Sequence, residues 1–170
     1  IQLVTSGLEE RALAPEQFEL VNHLCIQLVR NAVTHGIEQP ADRLNAGKPE
    51  VGRIDIRLAE IAGNQLELTV RDDGQGFNYK AIRERALSLK MRSDTELDCM
   101  NNRELLSLIF EPGFSTAAEV NEDAGRGVGM DIIRREINNS GGKLKISSAK
   151  ERYCEFTVTL PLIEAVQSAA

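Results

Sequence analysis

The sequence has no tryptophan, and aromatic residues make up only 4% of its 170 positions. It also lacks an excess of basic charge, because 20 lysines and arginines stand against 26 aspartates and glutamates, which gives a formal net charge of −6. Proteins that bind nucleic acids need a basic face that neutralises phosphates, often combined with aromatic side chains. We therefore expect no nucleic-acid partner.

Cysteines are few and widely separated, at Cys25, Cys99 and Cys154. An odd number at such spacing fits neither a disulfide framework nor a zinc site, and it suits a reducing compartment. No apolar run approaches the roughly 20 residues that cross a membrane, and no signal peptide is recognisable. We expect a cytoplasmic location without direct membrane insertion.

The hydrophobic content of 42% is enough for one core in a chain of this length. We therefore predict a single domain over residues 1–170. Because the sequence begins at Ile1 and not at methionine, we also expect it to be a fragment of a longer protein.

Glycine, in contrast, is concentrated in a segment that suits phosphate binding, Gly125-Arg126-Gly127-Val128-Gly129-Met130-Asp131. The alternating glycines open an apolar helical pattern at 129–139, and glycine lets backbone amides approach an anion at a helix N-terminus. This segment alone is weak evidence, because its spacing does not match the dinucleotide fingerprint Gly-x-Gly-x-x-Gly.

Two upstream segments strengthen the prediction of a nucleotide site. Asp72-Asp73-Gly74-Gln75-Gly76 follows an alternating strand pattern, so its carboxylates lie where a strand becomes a loop. A helix pattern from about Glu16 to His35 carries Gln27, Arg30, Asn31 and His35 toward its C-terminal end.

That helix, introduced by Pro15, has a predicted core stripe of Phe18, Val21, Cys25, Leu28 and Ala32. A polar loop is expected at 36–50 and a mobile loop at 111–124. The other predicted helices are 79–90, capped by Asn78, 102–110, capped by Asn101 or Asn102, and 129–139. The predicted strands are 1–5, 51–61, 65–71, 143–148 and 153–160, with a Gly63-Asn64 turn between the second and third. This order predicts a two-layer α/β sandwich, with a mixed sheet and helices on one face.

Together these segments resemble the ATP-binding (Bergerat) fold shared by gyrase, heat-shock protein 90, MutL and the histidine kinases. Four motifs narrow the resemblance to the catalytic domain of the CheA family of chemotaxis histidine kinases: Leu-Val-Arg-Asn-Ala-Val-Thr-His-Gly-Ile-Glu (28–38), Phe-Glu-Pro-Gly-Phe-Ser-Thr (110–116), the glycine-rich 125–131 and Leu-Pro-Leu (160–162). The similarity runs in order from about residue 7 to residue 162.

The resemblance implies ATP and Mg²⁺ as ligands and assigns roles to matching residues. Asn31 would bind Mg²⁺, which prefers hard oxygen ligands and takes few from protein. Asp72 would accept a hydrogen bond from the adenine amine, with Asp73 as the competing candidate. Gly74 and Gly76 would permit the turn beside the purine.

Other matching residues would contact phosphate. His35 and Arg30 are candidates, although either could be an ordinary exposed residue at a helix end. His23, one turn before Gln27, is expected to be structural. The lid over the nucleotide would begin at Phe114, Ser115 and Thr116, with a plain surface loop as the alternative. The glycine-rich segment would contribute these residues: Gly125, Arg126, Gly127, Val128, Gly129 and Met130.

Four residues, at three places in the sequence, depart from the family pattern. Gln27 stands where CheA-type enzymes carry histidine and many relatives glutamate, and a neutral amide cannot take up a proton. Tyr153 and Cys154 stand where a Gly-Thr pair is usual, and a thiol is a weak hydrogen-bond partner beside adenine. Thr34 replaces a usual aspartate. We expect a domain that binds Mg-ATP, hydrolyses it slowly and phosphorylates a histidine on another domain.

Two other function classes remain open at this point. One is a catalytically impaired nucleotide-binding pseudokinase or regulatory module, and the other is an ATPase or clamp of the gyrase and MutL kind, which the acidic charge disfavours. If the chain is a kinase domain, its partners are a histidine phosphotransfer domain, a downstream response regulator, and dimerisation and coupling domains outside this sequence.

Overall fold

The computed structural model describes residues 1–8, 13–114 and 129–163. These fall into two compact units, Ile1–Phe77 with Glu136–Ala170 and Asn78–Arg135. The prediction of a single domain stays a prediction. In the described part of the chain, no helix is long and apolar enough to span a membrane.

The first unit is built on a five-stranded mixed sheet, as predicted. Its strands are β1 (Gln2–Ser6), β2 (Arg53–Ile61), β3 (Gln65–Asp72), β4 (Lys143–Ala149) and β5 (Tyr153–Pro161). Their order is β1-β2-β3-β5-β4; β1 pairs with β2 in parallel, and all other neighbours are antiparallel. The predicted α/β class with a mixed sheet is therefore confirmed.

Alternation along the strands separates an apolar from a polar sheet face. The buried positions of the three central strands are mostly branched aliphatic: Ile54, Ile56, Leu58, Leu66, Leu68, Val70, Phe156, Val158 and Leu160. Intervening positions carry charged residues and threonines, such as Arg57, Thr69 and Glu155. Because successive strand side chains point to opposite faces, this pattern buries one face only. Asp72 and Cys154 extend the buried face to its polar end.

The turn between β2 and β3 forms at the predicted glycine and asparagine. Gly63 and Asn64 have φ values of +81° and +53°. Positive φ at two central residues is typical of the tight turn that matches strand twist in a hairpin.

Helix α1 (Pro15–Asn31) packs on β3 and carries the candidate functional residues. The predicted helix to His35 continues as a π-helix, Ala32–Gly36, in which Ile37 N donates to Ala32 O at 2.8 Å. The wider turn ends the helix, and such π-segments often mark functional sites. Phe18 was wrongly predicted to be buried, since it is 59% exposed. The position beside it, Gln17, is buried instead and binds Pro161 O and Ile163 N in the C-terminal segment.

The predicted polar loop at 36–50 contains a short helix, α2 (Pro40–Asn45), which the sequence analysis missed. Its Arg43 is fully buried.

The second unit is helical. It contains α3 (Tyr79–Ser88), α4 (Asp94–Cys99), α5 (Asn102–Ser107) and a 3₁₀ turn (Leu108–Phe110). Asn78 caps α3 and Asn101 caps α5, so of the two predicted caps of α5 it is Asn101, and Asn102 is the first helical residue. Helix α4 was not predicted, although Ser93 and Glu96 form a capping box at its start.

Helix α6 (Met130–Asn139) spans the boundary between the units along the chain. It ends at Gly141, whose φ is +68°, with Gly142 N donating to Ile137 O. A glycine in the left-handed region shortly after the last helical residue is a common way for a helix to end.

Candidate functional site

The polar residues of α1 occupy successive turns near its C-terminal end. Gln27 is buried, Asn31 is the last α-helical residue and is partly buried, and Arg30 and His35 are exposed. Spacing by four places Gln27, Asn31 and His35 on one side of the helix. The first unit therefore presents an amide pair followed by an imidazole along one line.

Asp72 is a buried carboxylate, only 4% exposed, at the end of β3. Its Oδ1 accepts a hydrogen bond from the Gly74 backbone N–H at 2.9 Å. Burial, assisted by the negative charge of Asp73, raises the pKa of Asp72, against the lowering effect of backbone N–H groups of Gly74 and Cys154. Such a group is costly to ionise without a ligand that donates to it.

The loop after Asp72 is attached to the end of the π-helix. Gln75 N donates to Gly36 O at 2.9 Å, and Gln75 Nε2 donates to His35 O at 2.8 Å. A Cβ at Gly74 would lie 2.1 Å from Gly36 O, and one at Gly36 would lie 3.1 Å from Asp72 Oδ1. Glycine is thus required at position 74 for the aspartate loop to lie against the end of the helix that carries Asn31, and a side chain at position 36 would crowd the Asp72 carboxylate.

Gly76 is required for a second close approach. Its φ is +68°, and a Cβ there would lie 2.6 Å from Ala149 O. The neighbouring Phe77 N donates to Ser148 Oγ at 3.0 Å. The loop from Asp72 to Phe77 is therefore held at one end by the π-helix and at the other by β4.

Cys154, which the family resemblance implies to lie beside adenine, is the neighbour of Asp72 in the sheet. The two residues are directly paired between β3 and β5. Burial, with the negative charges of Asp72 and Glu155, raises the pKa of the Cys154 thiol far above its ordinary value. The group next to the aspartate is therefore a neutral thiol and a weak hydrogen-bond partner.

A cluster of four charged residues supports the loop from the other side. Arg43 binds Glu38 Oε2 at 3.1 Å and Asp73 Oδ2 at 2.8 Å. Lys48 Nζ donates to Glu38 Oε1 and to the carbonyl oxygens of Asp73 and Gly74. Burial opposes ionisation of Glu38, but the Lys48 hydrogen bond and the nearby cations lower its pKa overall.

Asp73 is fully engaged in this cluster. Its second oxygen, Oδ1, accepts from Arg53 N at 2.8 Å. Both carboxylate oxygens therefore have protein partners, whereas the donors to Asp72 among the described residues are the backbone N–H groups of Gly74 and Cys154. The structure favours Asp72 over Asp73 as the carboxylate available to a ligand. The sequence did not predict that Arg43 and Lys48 hold this loop, because charged residues in a polar loop are typical of a solvated surface.

Gln27 has a neighbour on the preceding turn. Its Nε2 lies 3.3 Å from His23 Nε2, and His23 Nδ1 lies 3.0 Å from Glu136 Oε2. This oxygen is buried without an aligned hydrogen bond. His23 therefore lies between the buried amide of Gln27 and the carboxylate of Glu136. The sequence predicted neither contact.

The remaining predicted site residues belong to the second unit or lie outside the described residues. Phe114, Gly129 and Met130 belong to the second unit, where Gly129 O accepts from Ile132 N at the start of α6. The others lie outside the described residues: Ser115, Thr116, Gly125, Arg126, Gly127 and Val128.

Asn31 is the candidate for a metal ligand. Within the described ranges, no group of three or more histidine, cysteine, aspartate or glutamate side chains could hold a metal ion. A transition-metal centre built from such ligands is therefore not formed there. The amide oxygen of Asn31 fits Mg²⁺, which commonly binds through one or two protein oxygens with water and phosphate oxygens completing the shell.

Comparison with known proteins gives a family match over most of the chain. The family model described as histidine kinase-, DNA gyrase B-, and HSP90-like ATPase matches residues 19–164. The chemotaxis protein CheA of Bacillus subtilis is 38% identical over 143 residues, which cover 84% of this chain and 21% of that protein. The CheA of Salmonella typhimurium is 39% identical over 167 residues, covering 98% of this chain and 24% of that protein. A gliding motility regulatory protein of Myxococcus xanthus is 40% identical, covering 83% and 18%. The chain thus spans about a fifth to a quarter of the length of these relatives.

Solved structures share the fold at low sequence identity. Full-length ShkA in complex with AMPPNP has a TM-score of 0.59 at 16% identity, covering 96% of this chain and 26% of that one. The blue-light activated histidine kinase of Erythrobacter litoralis EL346 has a TM-score of 0.54 at 16% identity, covering 95% and 34%.

Proposed function

We propose that this chain, which belongs to the histidine kinase-, DNA gyrase B-, and HSP90-like ATPase family, is the ATP-binding catalytic domain of a chemotaxis-type histidine kinase. In this proposal it transfers the γ-phosphoryl group of ATP to a histidine on another domain. The observation that carries it is the buried Asp72 carboxylate, whose loop rests on the end of the helix that bears Asn31.

Asp72 would recognise the adenine base. Its buried carboxylate accepts hydrogen bonds only, so it favours an exocyclic amine over the carbonyl oxygen that guanine presents. Cys154 beside it would contribute a weaker contact than a threonine hydroxyl.

Asn31 and His35 would act at the phosphates. The amide oxygen of Asn31 would hold Mg²⁺, which neutralises phosphate charge when bound, and the exposed His35 imidazole would donate to a phosphate oxygen. Positioning and charge neutralisation supply most of the acceleration in phosphoryl transfer. This chemistry needs no covalent enzyme intermediate.

Gln27 would slow the hydrolysis of ATP without preventing phosphoryl transfer to a histidine. An attacking water must lose a proton, which an amide cannot accept, whereas a neutral imidazole already presents a lone pair. We expect slow ATP hydrolysis and competent transfer. Gln27→His should raise the ATPase rate by about tenfold or more; an unchanged rate would show that Gln27 does not limit hydrolysis.

Titration calorimetry with a non-hydrolysable ATP analogue, with and without Mg²⁺, tests the nucleotide site. We expect Mg²⁺ to strengthen binding and Asp72→Ala to abolish it. If the unaltered chain does not bind, the kinase proposal fails.

Phosphotransfer is tested separately. The chain, incubated with γ-labelled ATP and a histidine phosphotransfer domain from a chemotaxis kinase, should label that domain and not itself, because His23 and His35 both lie on the helix that carries the proposed ATP-site residues and on its π-helical continuation. Binding without transfer would favour the alternative of a nucleotide-binding pseudokinase module, for which Gln27 and Cys154 are the supporting observations.

The partners follow from the proposed reaction. A phosphotransfer domain would accept the phosphoryl group, and a response regulator would receive it next. Dimerisation and coupling domains would lie elsewhere in the parent protein, and the whole would act in the cytoplasm.

A further inference from the structure

Lys48 makes contacts that go beyond an ion pair. Its backbone is fixed at the end of α2, where Lys48 N donates to Arg43 O at 2.9 Å. Its side chain is only 13% exposed, and its ammonium group donates to Glu38 Oε1 at 2.6 Å. The same ammonium group donates to the backbone carbonyl oxygens of Asp73 and Gly74, at 3.0 and 2.8 Å. An ion pair with Glu38 needs neither of these two backbone contacts.

The two carbonyl oxygens belong to consecutive peptide groups of the aspartate loop. In a planar trans peptide group, the C=O and the N–H point in opposite directions. The C=O of Asp73 accepts from Lys48 Nζ. The N–H of the same peptide group, which belongs to Gly74, donates to Asp72 Oδ1 at 2.9 Å. The first peptide group is therefore held by a cation on one side and turned toward the buried carboxylate on the other.

The second peptide group is held in the same way. Its C=O, that of Gly74, accepts from Lys48 Nζ. Its N–H, that of Gln75, donates to Gly36 O at the end of the π-helix. Because hydrogen bonds in a chain polarise one another, the cation also strengthens both N–H donors. One ammonium group thus orients one donor toward Asp72 and a second toward the helix end.

The neighbouring cation, Arg43, makes a different set of contacts. Its guanidinium lies 3.3 Å from Asp73 O, and its shorter contact is with the Asp73 carboxylate at 2.8 Å. Arg43 also donates to Glu38 Oε2. Glu38 therefore keeps a cationic partner when the Lys48 ammonium is removed, so the contribution of Lys48 can be tested by substitution.

We propose that Lys48 is a positioning residue for base recognition, which fixes the two peptide groups that orient the Asp72 carboxylate and attach its loop to the π-helix. This role rests on the proposed kinase function, in which Asp72 accepts a hydrogen bond from the exocyclic amine of adenine. Hydrogen bonds weaken steeply with misalignment, so a carboxylate that turns loses part of this bond. Lys48 acts through the loop and needs no contact with the nucleotide.

The orientation of the two peptide groups can be measured without nucleotide. Proton–nitrogen correlation spectra of the labelled chain report each backbone N–H, whose proton signal lies further downfield the shorter its hydrogen bond. In Lys48→Met, which removes the charge and keeps an unbranched side chain, the signals of Gly74 and Gln75 should move upfield. The Gln75 signal should move further, because Asp73 O keeps its contact with Arg43.

Lys80→Met is the matched control for these spectra. Lys80 is an exposed lysine that pairs with Glu84 on α3, in the second unit. Its replacement should leave the signals of Gly74 and Gln75 in place. Unchanged signals of both residues in Lys48→Met would overturn the proposal.

Base recognition is measured by titration calorimetry with ADP and inosine diphosphate, which carry an amine and a carbonyl oxygen at the same position of the purine. Because a carboxylate only accepts hydrogen bonds, the unaltered chain should prefer ADP. Lys48→Met should reduce this preference by about fivefold, the effect of one hydrogen bond, with little change in the affinity for inosine diphosphate. Lys80→Met should keep the full preference. If Lys48→Met does not fold, Lys48→Gln, which is uncharged and one bond shorter, replaces it in both measurements.

The outcomes separate this proposal from the kinase proposal. Equal losses of affinity for both nucleotides in Lys48→Met would show that Lys48 supports the fold and not base recognition. If the unaltered chain prefers ADP and Lys48→Met keeps that preference in full, only the role of Lys48 is refuted. If the unaltered chain binds neither nucleotide, both proposals fail.

Discussion

At the scale of single residues, Asp72 shows how a predicted binding function conflicts with stability. Its carboxylate is buried beside the negatively charged Asp73, and in the described part of the chain it accepts from the backbone N–H groups of Gly74 and Cys154. A ligand that donates a hydrogen bond would relieve this arrangement. Without a ligand, the buried carboxylate lowers the stability of the folded chain.

Replacing Asp72 with asparagine should therefore stabilise the unliganded chain. Burial raises the pKa of Asp72 in the folded state, so its favourable contribution to folding is present below the unfolded pKa of about 3.9 and is lost as the pH rises through the folded pKa. Asp72→Asn removes this titration. We expect its melting temperature to exceed that of the unaltered chain by about 2–4 °C near neutral pH, with the difference shrinking toward about pH 4.

Calorimetric scans of both proteins across that range measure the difference. Asp55→Asn is the control, because hydrogen bonding to Arg53 lowers the pKa of Asp55, so its replacement should not stabilise. A difference for Asp72→Asn that is constant with pH would contradict the argument.

The three cysteines should differ in reactivity according to burial. Burial raises the pKa of the Cys25 thiol to about 11 and that of Cys154 further still, while Cys99 is exposed. Because the thiolate is the nucleophile, iodoacetamide near neutral pH should modify Cys99 and spare the other two. Peptide mass spectrometry after timed quenching gives the rates, and a denatured sample should show equal labelling. Equal labelling of Cys154 in the folded chain would mean that the end of β5 opens readily.

At the scale of elements, the close approach of the Asp72 loop to the π-helix depends on space at Gly74. A Cβ at this position would lie 2.1 Å from Gly36 O, which is backbone and cannot move aside alone. The charged cluster of Arg43, Lys48, Glu38 and Asp73 holds the loop in that position from the other side.

Gly74→Ala should displace the loop and weaken binding of the ATP analogue by about tenfold or more, with a loss of stability of about 1–3 kcal/mol from overpacking. Gly47→Ala is the matched control. Gly47 has a φ of +71° and no atom within 4 Å of an added Cβ, so alanine there costs about 1 kcal/mol of backbone strain and leaves affinity unchanged. Paired calorimetric and thermal measurements separate the two effects. Equal affinities in both variants would show that the loop position does not matter to binding.

How far the sequence predicts the site depends on the range of the interactions involved. Alternation and glycine placement predicted the strands, the Gly63-Asn64 turn and the Asp72 loop, because these depend on neighbours in the chain. Phe18 was misassigned to the core, since helical spacing alone does not say which of two adjacent stripes meets the sheet. Arg43 and Gly36 were missed for a related reason: a buried charge and a close backbone approach are defined by partners about 30 residues away or more.

At the scale of the whole molecule, the location of the candidate residues points to a chain that gains stability from its ligand. Asn31, Asp72 and Cys154 lie in the first unit, in which the sheet and α1 supply the core. A nucleotide that binds the folded state only must raise the free energy of unfolding of this unit by mass action.

A magnesium-dependent thermal shift is the corresponding prediction. At a free concentration of the ATP analogue about 100 times its dissociation constant, stabilisation is about 2.7 kcal/mol, which corresponds to about 5–10 °C in a protein of this size. Each further tenfold increase should add about 3–5 °C, without a plateau, because the shift follows the logarithm of the ligand concentration. Omitting Mg²⁺ should reduce the shift, and Asp72→Ala should abolish it. Arg53→Gln, at an exposed side chain at the start of β2, should keep it in full. A thermal shift of equal size in Asp72→Ala would place the nucleotide elsewhere on the chain. If the unaltered protein shows no thermal shift, the result would agree with a domain whose site has degenerated at Gln27 and Cys154.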